Sequence, residues 1–149
     1  MNQSESLLDD RARRSFASFP LHRAMGLALE ELRPGFARVS MRPSDFTVGG
    51  VGGSVHGGLL AALVDITMLE ALTTLFDRND RPAGTADLNI TFMRPALGEE
   101  IYAEATVLRK GRQLAVTEVS ILDREGRLCA KGRTLYAIRG SDGSHPRRP

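Results

Sequence analysis

A glycine-rich run that leads into a hydrophobic segment is the part of this sequence whose residue types could do chemistry. Residues 49–58 hold six of the fifteen glycines of the chain, and residues 59–72 are mostly apolar. If the apolar segment is a helix, its first backbone N–H groups have no partner within the helix and lie at the positive end of the helix dipole. Such a site attracts a phosphate, a carboxylate or a developing oxyanion.

The acid Asp65 interrupts the middle of the apolar segment. A charged carboxylate among apolar side chains is costly unless it has a partner. Asp65 is therefore a candidate general base or nucleophile, and the alternative is a structural acid that caps a neighbouring loop or pairs with an arginine. Glu70 lies about 140° away around a helix, so we interpret it as a separate acid that pairs with an arginine or faces a cavity.

His56 stands directly before Gly57 and is a further candidate for chemistry. Direct proton transfer by His56 is one interpretation, but its position favours a hydrogen bond that the ring donates within the loop. The other histidines, His22 and His145, do not stand at a spacing typical of metal ligands. The sequence predicts no metal site and no cofactor, and the glycine run lacks the Lys-Ser or Lys-Thr pair of a nucleotide-binding P-loop.

Composition indicates one globular domain. The 149 residues are 42% hydrophobic and 26% charged, with a formal net charge of +2. This small positive excess, without tryptophan or a stripe of aromatic and basic residues, argues against nucleic-acid binding. The single cysteine, Cys129, cannot form an internal disulfide, and no secretory leader or membrane span is apparent, which predicts a cytoplasmic protein.

The hydrophobic pattern predicts six strands and one long helix. Residues 1–19 are predicted to be a surface helix or a disordered arm that Pro20 ends, and residues 139–149 a disordered tail. The long helix is predicted over residues 58–76 and is followed by a loop over residues 77–82. The strands are predicted within 26–41 as a pair, then over 86–92, 101–107, 115–122 and 128–138, with turns at 109–112 and 123–126.

This order of elements predicts an α+β fold, in which the helix packs on one face of an antiparallel sheet. A helix that is apolar nearly all round must be covered on every side. One sheet is not obviously enough to cover it, so the sequence predicts a partner chain.

Three segments stand out together, namely Val-His-Gly-Gly at residues 55–58, Leu-Val-Asp at 63–65 and Asp-Leu-Asn-Ile-Thr-Phe-Met-Arg-Pro-Ala at 87–96. In combination they resemble the hotdog-fold acyl-CoA thioesterases, most of all the phenylacetic-acid-degradation (PaaI-like) type. The resemblance covers about residues 20–138. It implies a central helix wrapped by a five- or six-stranded antiparallel sheet, a dimer with one continuous sheet, and pairing of dimers into a homotetramer. It also implies hydrolysis of acyl-CoA thioesters without metal.

The resemblance implies a role in the reaction for four residues of this chain. Asp65 matches the helical carboxylate that acts as general base or nucleophile, and Gly57 matches the backbone N–H that polarises the thioester carbonyl. His56 matches the loop histidine that shapes the site. Thr85 stands where the family often has a Ser or Thr that helps to position water.

Five further residues are assigned to substrate binding, namely Gly50, Gly58, Arg109, Lys110 and Arg112. The three basic residues fall in the turn that tends to meet the nucleotide end of coenzyme A, and a solvated hairpin turn is the alternative. Gly50 stands where the family usually carries an Asn or Gln that orients the thioester or the water. We expect Gly50→Asn to raise the rate if the loop accepts a side chain, unless residue 50 requires a positive φ.

Gly57 and Asp65 are eight residues apart, or about 12 Å along a helix. A general base must come within about 3 Å of the proton that it takes. The two groups of one chain therefore cannot easily act on one thioester carbon. Two helices packed antiparallel about a twofold axis would bring Asp65 of one chain near Gly57 of the other, so the spacing favours a site shared between subunits.

Three functions are compatible with these residues. The first is an acyl-CoA thioesterase, which release of free thiol distinguishes from the others. The second is a non-catalytic module that binds acyl-CoA, suggested by Gly50, and the third is a hotdog hydratase or dehydratase. An aryl or medium-chain acyl group would suit the large apolar candidates for the pocket, which are Met68, Leu69, Leu72 and Phe92.

Overall fold

A six-stranded antiparallel sheet packs against one long helix in the computed structural model, which describes residues 6–140. The helices are α1 (Asp10–Ala17), α2 (Pro20–Ala24) and α3 (Gly57–Thr73), and the strands are β1 (Leu27–Arg33), β2 (Phe36–Met41), β3 (Asp80–Phe92), β4 (Ile101–Lys110), β5 (Leu114–Asp123) and β6 (Leu128–Gly140). The strand order is β1-β2-β4-β5-β6-β3, with every neighbouring pair antiparallel. The predicted α+β class is confirmed, although α3 ends earlier than the predicted helix 58–76.

Helix α3 packs on the sheet with one side and leaves the other side partly exposed. The side chains that are buried are Leu60, Leu63, Val64, Thr67, Met68, Ala71 and Leu72. Gly132 of β6 permits this close packing, because a Cβ there would lie 2.6 Å from a methyl carbon of Val64. The apolar residues on the other side, Leu59, Ala62, Ile66 and Leu69, are only partly buried. The sheet of one chain therefore covers only part of the apolar surface of α3.

Two short helices precede the sheet. Asp9 begins α1 by accepting the N–H of Ala12 at 2.7 Å. The predicted surface helix does end before Pro20, at Ala17, and Pro20 in addition opens α2, where its fixed φ fits and its missing N–H is not needed. At the other end of the chain, β6 continues to Gly140, so the predicted tail 139–149 loses its first two residues to the sheet. Residues 1–5 and 141–149 lie outside the described residues.

Strands β3 and β4 are longer than the sequence pattern predicted. The segment 77–82 is partly strand and not all loop, because β3 begins at Asp80 and pairs with β6. The sheet accepts Pro82 because β3 is an edge strand, one side of which has no partner strand. Arg109 and Lys110, predicted in a turn, instead complete β4 and pair with β5.

The edge position of β3 also changes which of its residues are buried. Leu88 and Ile90 pack against the core as the alternation predicted, but Ala86 and Phe92 are exposed. The register of β3 against β6 shifts twice, once on each side of Thr85. Such bulges bend a strand and re-aim its side chains.

None of the helices within residues 6–140 has the length and hydrophobicity that a membrane span requires.

Candidate active site

His56 caps the N-terminus of α3 and ties the glycine loop to the helix. Its Nδ1 atom accepts the backbone N–H of Gly58 at 2.9 Å. The predicted hydrogen bond within the loop is present, but its direction is wrong, because the start of a helix presents N–H donors and needs an acceptor. An accepting Nδ1 is unprotonated, so the neutral ring carries its proton on Nε2. The Gly58 N–H, a predicted substrate contact, is engaged by His56.

The backbone N–H of Gly57 is the donor in the first turn of α3 that has no acceptor within residues 6–140. The N–H groups of Leu59 and Leu60 both reach the carbonyl oxygen of His56, at 2.9 and 3.2 Å. The Gly57 N–H lies at the positive end of a 17-residue helix. A donor in this position can stabilise negative charge on a carbonyl oxygen.

An apolar cavity of about 370 Å³ opens beside Gly57. Its walls come from the loop between residues 50 and 55, the first turn of α3 and residues 92–96 after the end of β3. The ring of Phe92 lies over Gly57, because a Cβ on Gly57 would be 3.2 Å from the ring atom Cζ. Phe92 is 52% exposed, so it forms a wall of this opening and is not part of the core.

Of the four residues expected to line a pocket, two are core residues. Met68 and Leu72 are fully buried between α3 and the sheet, so their assignment to a pocket is wrong. They face the sheet because they lie on the same side of α3 as Leu63 and Val64. Leu69 lies on the partly exposed side of the helix.

Asp65 and Thr85, far apart in sequence, meet directly. The Thr85 hydroxyl donates a hydrogen bond of 2.6 Å to Oδ1 of Asp65. Thr85 reaches the helix from the bulged part of β3, and Asp65 is partly buried on α3. One carboxylate oxygen is therefore fixed, and Oδ2 makes no hydrogen bond within residues 6–140, which leaves it available to a water or a substrate. A positioned carboxylate with one open oxygen is what general base catalysis requires.

Gly50 has no room for a side chain. A Cβ there would contact the Ser54 hydroxyl oxygen and lie 2.9 Å from the carbonyl oxygen of Val55. Its φ is −88°, so the expectation of a positive φ is wrong, and close packing of the loop is the reason for glycine. We therefore expect Gly50→Asn to disturb the loop and not to raise the rate.

The three basic residues predicted to meet coenzyme A lie beyond the C-terminal end of α3, away from the glycine loop of the same chain. Nζ of Lys110 pairs with Asp80 at 2.8 Å, and this hydrogen bond holds the pKa of Asp80 below its usual value. Arg109 and Arg112 are exposed and make no ion pair within residues 6–140. The charge of Lys110 is compensated, whereas the two arginines can attract a phosphate.

Glu70 is the second carboxylate of α3. Burial raises its pKa above the usual value. Within residues 6–140 the carboxylate makes no ion pair, so no arginine of the described residues is the partner that the sequence allowed for. Sequence reasoning also missed Tyr136, which pairs with Thr85 across β3 and β6 and is buried. An alternating strand carries no signal that separates such a tyrosine from a core residue.

A long helix on a six-stranded antiparallel sheet, with a glycine loop at the helix start and an acid within the helix, defines a protein of the hotdog type. The family model of the thioesterase superfamily matches residues 52–130 of the 149. The chain belongs to the thioesterase superfamily, and the resemblance seen in the sequence is confirmed.

Named relatives agree with this membership. Acyl-coenzyme A thioesterase 13 of Homo sapiens is 42% identical over 83 residues, which are 54% of this chain and 58% of that protein. The chain thus spans a little more than half the length of that relative. Medium/long-chain acyl-CoA thioesterase YigI of Escherichia coli K12 is 27% identical over 132 residues, 80% of this chain and 85% of that protein. The PaaI protein from the phenylacetic acid degradation operon of E. coli shares the fold, with a TM-score of 0.74 and 24% identity over 87% of this chain and 91% of that chain.

Proposed function

We propose that this protein is an acyl-CoA thioesterase that uses Asp65 as its general base. The observation that carries the proposal is the 2.6 Å hydrogen bond by which Thr85 fixes one oxygen of the Asp65 carboxylate on a largely apolar helix. A carboxylate held in one orientation, with its other oxygen open, is arranged to take a proton from water. Membership of the thioesterase superfamily and the names of the relatives support the same reaction.

The reaction follows from these groups. Oδ2 of Asp65 takes a proton from a water molecule while the water oxygen bonds to the thioester carbon. The oxygen of the tetrahedral intermediate becomes negative and accepts the N–H of Gly57. The carbon–sulfur bond then breaks, and the proton on Asp65 passes to the thiolate of coenzyme A. The alternative is that the Asp65 carboxylate itself attacks the thioester carbon and forms an anhydride, which water then hydrolyses.

We infer that Asp65 and Gly57 of one site come from different chains. The two residues are about 12 Å apart along α3, too far for both to act on one carbon. Two surfaces are available for a second copy: the partly exposed apolar side of α3, and the edge of β3, which pairs on one side only. An edge strand of 13 residues offers a row of free backbone groups to a copy of itself. The assembly is then a dimer with a continuous sheet, or a dimer of dimers.

The substrate we propose is an aryl- or medium-chain acyl-CoA. The cavity beside Gly57 is apolar, and its volume of about 370 Å³ falls in the range that holds a small ligand. Arg109 and Arg112 supply positive charge for the phosphates of coenzyme A, with Lys110 held by Asp80. His56 keeps the loop in shape, and we expect the reaction to need no metal or cofactor. The lone cysteine agrees with a cytoplasmic location.

Thiol release from a panel of acyl-CoAs, followed with a thiol-detecting reagent, tests this function. We expect turnover with phenylacetyl- and medium-chain acyl-CoAs. Residue 50 is a glycine and supplies no amide side chain to orient the thioester. Its absence favours slow turnover, or a non-catalytic acyl-CoA binding module as the second candidate function. Tight binding of acyl-CoA without thiol release would establish that module, and consumption of an enoyl-CoA without thiol release would establish a hydratase.

A further inference from the structure

The ring of Phe92 lies directly against the backbone of Gly57, the proposed donor to the thioester carbonyl. If residue 57 carried a Cβ, that atom would lie 3.2, 3.3 and 3.8 Å from three carbons of the ring. Gly57 is the first residue of α3 and does not have a positive φ, so its backbone conformation does not require glycine. The space beside the Gly57 backbone is instead taken by the aromatic ring.

The backbone that carries this ring is held by β6 of the same chain. Phe92 ends β3 and pairs with Ala130. The next two backbone N–H groups, of Met93 and Arg94, both donate to the carbonyl oxygen of Cys129, at 2.9 and 3.1 Å. These bonds lie on the side of β3 that faces β6. A second copy that pairs along the other side of β3 therefore leaves them, and the position of the ring, intact.

The ring lies where the first carbon of an acyl chain must pass. A carbonyl oxygen that accepts the Gly57 N–H at about 2.9 Å brings the thioester carbon to within about 4 Å of that nitrogen. This carbon bears the sulfur of coenzyme A and the first carbon of the acyl chain. With the chain in the apolar cavity beside Gly57, that first carbon passes Phe92, the cavity wall that contacts the Gly57 backbone. A CH₂ group fits between the ring and the opposite wall, whereas a methyl branch competes with the ring for space.

We propose that Phe92 is a specificity-determining residue that admits acyl groups with a CH₂ next to the thioester and rejects those that branch at this carbon. The proposal rests on the proposed function, which places an acyl chain in the cavity beside Gly57. The rejection is steric, and one methyl group too many against a fixed apolar wall changes kcat/KM by roughly ten- to two-hundredfold.

Three isomeric substrates test the proposal, namely hexanoyl-CoA, 2-methylpentanoyl-CoA and 4-methylpentanoyl-CoA. Phe92→Ala removes the ring, and because the side chain is half exposed the fold should survive. The kcat/KM of the 2-methyl isomer relative to hexanoyl-CoA should rise at least about tenfold over its value in the native protein, and Phe92→Leu should give a smaller rise. Comparing the same two substrates in each protein cancels their different intrinsic reactivities. The relative kcat/KM of the 4-methyl isomer, whose branch lies further from Gly57, should not change.

A matched control is Leu97→Ala. Leu97 is an apolar residue about as exposed as Phe92, and it follows the cavity wall, which ends at Ala96. Its replacement should leave the relative kcat/KM of both branched isomers as in the native protein. An unchanged ratio for the 2-methyl isomer in Phe92→Ala would overturn the proposal. So would an equal gain for the 4-methyl isomer, or the same gain in Leu97→Ala, because either would mean a general loosening of the site.

A binding measurement separates this proposal from the proposed function. Ketone analogues of the hexanoyl and 2-methylpentanoyl esters, in which a CH₂ group replaces the thioester sulfur, cannot be hydrolysed. Calorimetry should show the native protein binding the straight analogue more tightly than the branched one, and Phe92→Ala should remove most of that preference. If no acyl-CoA is hydrolysed but the ratio of the two Kd values shifts in this way, the proposed function fails and the role of Phe92 stands. Thiol release from hexanoyl-CoA with no shift in the Kd ratio would do the reverse.

Discussion

The two carboxylates on α3 have different surroundings. Asp65 and Glu70 are five residues apart, and both are partly buried. Oδ1 of Asp65 accepts the hydroxyl of Thr85 at 2.6 Å, and the opposite oxygen is open. Within residues 6–140 the Glu70 carboxylate makes neither an ion pair nor a hydrogen bond, and burial raises its pKa. Position on an apolar helix does not by itself orient a carboxylate; the Thr85 hydroxyl on the β3 bulge orients that of Asp65.

The difference has a physical cause in the sheet. β3 carries its irregular segment next to Asp65, so a hydroxyl reaches the carboxylate and orients it. Glu70 lies about 140° further round the helix, where no polar side chain of the described residues meets it. An oriented carboxylate can take a proton from a water in a fixed direction. For a buried carboxyl group without a partner, desolvation only disfavours the ionised form and raises the pKa.

The largest effect should come from replacing Asp65, but not Glu70, by its amide. Asp65→Asn keeps the size of the side chain and removes the base, so thioester hydrolysis should fall by at least about a hundredfold. Glu70→Gln is the matched control and should leave kcat within about twofold, because no side chain of the described residues orients the Glu70 carboxylate for proton transfer. Steady-state kinetics with one acyl-CoA compares the two variants. Near-native turnover of Asp65→Asn, or an equal loss in both, would remove the distinction between the acids.

The proposed oxyanion donor, the N–H of Gly57, can be removed by a single substitution at the start of α3. Gly57 is the first residue of α3, where proline is accepted, and the ψ of 132° at His56 suits a residue that precedes proline. Gly57→Pro deletes the N–H and should lower kcat about 10²–10³-fold. Gly57→Ala keeps the N–H and adds a Cβ that Phe92 must accommodate, so it should lose much less. Comparable losses in the two variants would point to crowding by Phe92 and not to a lost donor.

The smallest effect concerns stability and pH. Because the pKa of Glu70 is raised in the folded protein, folding is favoured when Glu70 is protonated, and this contribution is lost as pH rises through the raised pKa. Glu70→Gln should therefore raise the melting temperature at neutral pH, and the gain should disappear below the usual pKa of a glutamate. Thermal unfolding at several pH values measures this. A gain of the same size at acid pH would mean that charge is not its cause.

Hydrophobic alternation predicted the strands well where one face of the strand is buried, and less well at the edges of the sheet. Alternation located the strands of the central sheet, whose residues are covered on one face by α3. It misjudged Asp80–Pro82, because proline and charged residues are typical of loops and also of an edge strand, where only one side of the backbone is paired. The short helix α2 was not predicted, because a proline that follows one helix can also open the next.

The part of the candidate site that lies in one continuous segment of sequence was predictable. His56, Gly57 and Asp65 stand in one continuous segment, and the structure keeps Gly57 free at the helix start. The steric reason for Gly50 was not predictable, because it depends on how Ser54 and Val55 fold back onto the loop. The contact between Thr85 of β3 and Asp65 of α3 depends on two register shifts in β3, which the residue pattern does not predict.

The central claim, that one site takes Asp65 and Gly57 from different chains, is tested most directly by pairing variants in defined heterodimers. Two affinity tags and tandem purification give a dimer of an Asp65→Asn chain with a Gly57→Pro chain. Such a dimer keeps one intact shared site, so it should show about half of the native rate, although each homodimer is inactive. A native chain paired with a chain carrying both changes keeps none and should be inactive. The reverse result, activity in the second dimer and none in the first, would contradict the shared site.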